Sequence, residues 1–199
     1  MPEPVTFRPR GGQILAWVAI GVCALGLVFI VVSDGFASLA VWSWPIVLVA
    51  WLAWALYVRP SVQISEGFIE IVNVFRTHRV PWGDVADVDS RYALTVRTTG
   101  GRSIRAWAAP APGARQALTT RREEVSRTPG ELDTRRPSDA EGTPSGDATA
   151  LVRRTLEQYR RSGGDTTPGG TVTTLNVGVI GVTAVLIAAT VLALALPHD

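Results

Sequence analysis

The chain has 199 residues, 47% of them hydrophobic and 18% charged, with a formal net charge of +2. Its mean hydropathy of +0.22 is high for a soluble domain of this size, and so small a charge excess argues against nucleic acid as a partner. All 19 basic residues are arginine, and the single cysteine, Cys23, can form no internal disulfide.

Two uncharged apolar segments come first, Ile14 to Val32 and Leu39 to Val58, and a third runs from Val177 to Leu196. A membrane-crossing helix needs about 20 mostly apolar residues, and none of the three shows the polar period of a half-buried soluble helix. They predict a transmembrane hairpin over 14–58 (14–32 and 39–58) and a third crossing over 174–196. The first segment is too long for a signal-peptide core and is followed by Asp34-Gly35 rather than a clear cleavage site. Arg8 and Arg10 precede the first segment, Arg59 follows the second, and Arg153, Arg154, Arg160 and Arg161 precede the third. The positive-inside rule then expects residues 1–13 and the centre of the chain in the cytoplasm and the C-terminus outside, in a cell (inner) membrane. Trp42 and Trp44 would mark one interface, Trp54 and Tyr57 the other, while Trp51 lies deeper and suits packing on a neighbouring helix. Cys23 lies inside the first segment, away from the membrane edge that lipidation needs, and reads as a packing residue.

From Arg59 to Pro112 the pattern changes to that of strands. Val62-Gln63-Ile64 ends at the turn pair Glu66-Gly67, and Phe68 to Phe75 is rich in Ile, Val and Phe. Thr77 to Val80 continues that strand or begins the next. Pro81 stops pairing because it has no N–H to donate. Trp82-Gly83-Asp84-Val85 suits a turn or one helical turn. Tyr92, Leu94 and Val96 alternate with Ala93, Thr95 and Arg97 as a half-buried strand does, Gly100-Gly101 suits a two-residue hairpin turn, and Ser103 to Ala108 returns. Residues 59–112 therefore read as a small antiparallel module of about five strands, too short to be stable without leaning on something else.

Residues 113–147 contain no aromatic residue and are dominated by Pro, Gly, Ser, Thr, Arg and Glu. That composition predicts a mostly disordered linker. Residues 148–162 then read as a basic amphipathic helix capped by Asp147. Ala148, Leu151, Val152, Leu156 and Tyr159 share one stripe, and Gly163-Gly164 ends it. Two placements fit equally: on the inner leaflet, or closing the β-module.

The candidate surface is Arg76, His78, Arg79, Trp82, Arg97, Arg102, Arg105 and Trp107. The arginines suit phosphate or headgroup recognition, or simply a solvated strand face. Trp82 and Trp107 would by default anchor the core, but alternation sets Trp107 opposite Ile104, so exposure stays open. Asp84, Asp87 and Asp89 lack the glycine and oxygen spacing of a calcium loop. They read as water-facing acids around core-facing Val85 and Val88, paired with Arg76, Arg79 or Arg91. His78 has no second histidine or cysteine near it, and no nucleophile elbow or phosphate loop occurs. No catalytic residue, metal site or cofactor is expected.

The run Tyr57-Val58-Arg59-Pro60, then "THRVPWGDVADV", "RYALTVRTTGGR" and "RAWAAPAP", resembles the bacterial pleckstrin-homology-like (PH-like) membrane proteins of actinobacteria, the group that includes low molecular weight protein antigen 6. The likeness is best over Arg59 to Pro112. It implies a PH-like β-fold, a strongly bent antiparallel sheet closed at one end by a helix, for which the helix at 148–162 is the candidate; with the apolar segments and the arginines, the expected fold is three transmembrane helices plus a small cytoplasmic antiparallel β PH-like module. It implies no settled activity. The turn Ser65-Glu66-Gly67 is acidic where phosphoinositide-gripping PH domains carry a basic loop, so that ligand is not carried over. The expectation is a non-enzymatic scaffold or regulator in contact with membrane lipids and other envelope proteins. The alternatives are a headgroup or small-anion binder and an accessory transporter subunit, the last disfavoured by the uncharged spans.

Overall fold

The computed structural model describes residues 5–8, 10–89, 93–110, 144–164 and 169–195. Its strands are β1 (Val5–Phe7), β2 (Ser61–Ile64), β3 (Phe68–Val72), β4 (Arg76–Pro81), β5 (Val85–Asp89), β6 (Ala93–Thr98), β7 (Ser103–Pro110) and β8 (Val172–Leu175). Its helices are α1 (Arg10–Asp34), α2 (Phe36–Ala53, prolonged by a π-helical turn at Trp54–Val58), α3 (Pro144–Arg161) and α4 (Val177–Ala195). They divide into two compact units. One contains Met1–Arg8, Ser61–Asn73 and Thr77–Thr174; the other contains Pro9–Pro60, Val74–Arg76 and Leu175–Asp199.

In the second unit, three helical stretches are long and apolar enough to cross a membrane: Gly12–Asp34, Ser38–Val58 and Val177–Ala195. α2 packs against both α1 and α4. On α4 the inward residues Val179, Thr183, Leu186, Thr190 and Ala193 fall alternately four and three apart, which keeps them on one helix face. Trp51 Nε1 donates to Thr183 Oγ1 at 3.0 Å, so this deep tryptophan does pack on a neighbouring helix. Apolar surroundings make such a partner valuable for an indole N–H.

The first unit is built from two antiparallel sheets, β1-β2-β3-β4-β8 and β5-β6-β7. Val62, Ile64, Ile69, Ile71 and Val80 point inward from the larger sheet; Val85, Val88, Leu94, Val96, Ile104, Ala106 and Ala108 point inward from the smaller one. The period-2 pattern of β-branched residues produces this division, since neighbouring side chains on a strand face opposite ways. Trp82 is buried in the same core and its Nε1 donates to Ser65 O at 2.9 Å. The core is closed by Ala148, Val152 and Leu156 of α3. The amphipathic helix is thus docked on the sheets, and its apolar stripe is spent there.

Three details differ from the sequence reading. The sheet recruits β1 and β8 from outside residues 59–112, at the expected cytoplasmic N-terminus and the expected lead into the third crossing. Both are too short to show a period, and pairing with β2 and β4 creates them. The β6–β7 hairpin has a three-residue loop, with Thr98 N bonded to Arg102 O at 2.9 Å, and only Gly101 takes positive φ, at 79°. That is a type I turn followed by a bulge residue. Helix α3 starts at Pro144, which places Asp147 inside the first turn rather than at the cap. Proline suits a first helical position because the N–H it lacks would have no partner there. At the other end Gly163 adopts φ 84°, and a Cβ on Gly164 would fall 2.4 Å from the Tyr159 ring. The linker expected at 113–147 lies largely within 111–143, outside the described residues, as do Arg91 and Tyr92.

Candidate partner surface

The expected site residues do not converge. On β4, Arg79 is exposed, sits opposite Glu70 of β3, and stacks its guanidinium 3.6 Å from the centroid of the Phe68 ring. His78 lies on the other face of the strand, and its Nδ1 is 3.0 Å from Thr173 Oγ1 of β8. Thr174 Oγ1 in turn reaches Thr77 O, so the two strands run in opposite directions. Arg76 opens β4 and is exposed. Trp82 is a core anchor rather than a surface group. Arg102 is exposed in the β6–β7 hairpin.

The remaining three, Arg97, Arg105 and Trp107, share the outward face of the smaller sheet. There Asp87 lies opposite Arg97, Arg97 opposite Ser103, Asp89 opposite Thr95 and Thr95 opposite Arg105. The face is a lattice of both signs: Arg97 Nη2 lies 3.9 Å from Asp89 Oδ2, a loose exposed pair worth little to stability. Trp107 closes this face with 52% of its surface exposed. Its backbone is held by Asn73 at the end of β3. The Asn73 side chain accepts from Trp107 N–H at 2.8 Å and donates to Arg105 O at 2.9 Å. One amide therefore does the work of a neighbouring strand along β7.

The other edge of that sheet is covered too. Arg153 of α3 donates to Val88 O at 3.0 Å, and Arg160 donates to Val85 O and Ala86 O, both at 3.3 Å. These are carbonyls of β5, an edge strand that would otherwise offer a row of acceptors to a foreign chain. Two of the four arginines of this helix, Arg153 and Arg160, are used in this way.

Asp84 corrects the expectation of three water-facing acids. It is 2% exposed. Its Oδ1 accepts from Thr99 Oγ1 and from Gly169 N–H at 2.9 Å, and its Oδ2 accepts from Thr171 Oγ1. Its own carbonyl accepts from Thr99 N–H at 2.9 Å. Burial pushes this carboxyl up, but the hydroxyls of Thr171 and Thr99 and the amides of Gly169 and Thr99 outweigh it and hold the pKa below its ordinary 3.8. The carboxylate knots the turn after β4, the β6–β7 hairpin and the segment entering β8. Sequence reasoning missed it because its main partners stand more than eighty positions downstream. Asp87 is exposed and Asp89 half-buried. Among the described residues no group of three His, Cys, Asp or Glu side chains is placed to hold a metal.

Against this geometry the comparisons are informative at the level of the module. The family described as Bacterial PH domain matches residues 59–129. The matched stretch contains strands β2 to β7, so the chain carries a bacterial PH-like domain, together with three membrane-length helices among the described residues. Comparison with curated proteins and comparison with solved structures each gave no match.

Proposed function

We propose that the protein is a membrane-tethered, non-enzymatic interaction module of the kind found in the actinobacterial PH-like group, a scaffold or regulator of other envelope proteins. Its working surface is the outward face of β5–β7. The observation that carries this reading is Trp107. A half-exposed tryptophan whose backbone is pinned by Asn73 is a rigid aromatic anchor on a flat face of mixed charge, the type of residue that dominates protein interfaces. The covered edges of β5 and β7 support docking on the face rather than addition of a strand along either edge. The scatter of the arginines over two sheets, with Arg79 committed to Phe68 and Arg97 beside Asp89, supports a protein partner over one anion pocket. The uncharged spans support an anchoring role over a transport path. The arginine distribution supports an orientation with the N-terminus and the module in the cytoplasm and the C-terminus outside.

Co-purification from native membranes in mild detergent tests this, comparing the intact chain with Trp107→Ala and with Arg105→Glu. A partner present with the intact chain and depleted at least tenfold with Trp107→Ala is the expected result, on the order of the 2 kcal/mol that an aromatic hot spot carries. Identical partner lists for all three chains would reject the face.

A further inference from the structure

The link between β3 and β4 belongs to the helical unit. Val74 is buried against Ala55 and Val179, with Trp51, Trp54 and Leu56 around them. Its carbonyl accepts from Arg59 Nη1 at 3.2 Å and from Asn176 Nδ2 at 3.4 Å, and the carbonyl of Phe75 accepts from Asn176 N–H at 2.9 Å. Arg59 is the first residue after the second membrane-length stretch, which ends at Val58, and Asn176 is the last before the third, which begins at Val177. Two separate crossings therefore fix the height of this tip at the end of their apolar runs, the border between hydrocarbon and headgroups. At that height Phe75 leaves 50% of its surface open, and Tyr57, beside the same border, leaves 42%. Arg76, next in the chain, is exposed. An open aromatic ring followed by a guanidinium, held at the edge of a bilayer, matches the layered chemistry of a phospholipid: acyl chain, glycerol, phosphate.

We propose that Phe75 and Arg76 form an interfacial lipid-contact site whose occupant is an anionic phospholipid. The ring of Phe75 lies at the glycerol–acyl boundary and the guanidinium of Arg76 meets the headgroup phosphate. The site is independent of the face at Trp107. It is a different turn from Ser65-Glu66-Gly67, whose acidic residue does not suit a PH-type headgroup loop.

The test uses the full chain with Phe75→p-benzoyl-phenylalanine in vesicles of equal parts phosphatidylglycerol and phosphatidylcholine. Irradiation is expected to yield chains heavier by one phospholipid, and the same photolabel at Glu66 to yield none. With Arg76→Gln added, the ratio of phosphatidylglycerol to phosphatidylcholine adducts is expected to fall about fivefold, the loss of one basic residue at an anionic surface. Protein-only adducts at position 75, or equal lipid adducts at 75 and 66, overturn the site; an unchanged ratio overturns the anionic preference. A spin label at Phe75→Cys in a Cys23→Ala chain gives an independent reading. Oxygen should reach it better than a water-soluble nickel chelate, and the reverse order also overturns the proposal.

Discussion

Asp84 and Asp89 belong to one short stretch and look alike on paper, yet they meet opposite fates. Asp84 is sealed beneath the β6–β7 hairpin with every contact a charged acceptor could want, and Asp89 shares the open face of the smaller sheet with Arg97 at arm's length. The difference is where the backbone puts them. Asp84 ends the single turn that begins with buried Trp82, so the turn that plants the tryptophan in the core carries the acid in with it. Asp89 sits on a strand whose alternation sends it outward. A buried carboxylate with converging donors holds segments together, whereas a half-buried one on an outward strand face belongs to the surface a partner would meet.

Substitutions can break that contrast. Replacing Asp84 by Ala removes the shared acceptor of two half-buried hydroxyls, those of Thr99 and Thr171, and of the Gly169 amide. It should lower the opening free energy of the module by about 3 kcal/mol, read from hydrogen exchange of β6 amides in the full chain. Asp84→Asn should cost about 1 kcal/mol, since Thr171 can turn its hydroxyl to accept from the new amide. Equal losses for the two would mean that the carboxylate is not the knot. Acid should act on the same group. Because the folded pKa of Asp84 is held below 3.8, its stabilisation is fully present above the unfolded value and is lost as pH falls through the folded one. Exchange protection near Thr99 should therefore hold from neutrality to about pH 4 and then drop, with the drop smaller in Asp84→Asn. The smallest effect belongs to the surface. Asp89→Asn should shift stability by less than about 0.5 kcal/mol, and a larger change would show that the outward face is structural rather than free for a partner.

Much of this was legible in the residues. Alternation of Ile, Val and Leu gave most strands of the module, length and lack of charge gave the apolar helices, and the stripe from Ala148 to Tyr159 gave the helix that closes the core. For Trp107 the default was a core role; its being out of phase with Ile104 left exposure open, and the structure sets it on the outward face. What stayed hidden depends on contacts far along the chain. Val5–Phe7 and Val172–Leu175 are strands only because β2 and β4 offer them edges. Asn73 reads as a loop asparagine until β7 is laid beside it. Arg153 and Arg160 fit a leaflet or the module equally until the carbonyls of β5 appear beneath them. Asp84 ran against the usual expectation that an isolated acid faces water, and only the distant threonines explain the exception.

On the proposed reading, the outward face of β5–β7 receives a protein. It is tested most directly by placing p-benzoyl-phenylalanine at Ser103, an exposed position beside Arg97 and on the same face as Trp107, in the full chain in native membranes. Irradiation should give a discrete protein adduct that disappears when Trp107→Ala is added. Adducts with lipid alone, or a protein adduct indifferent to Trp107, would contradict it.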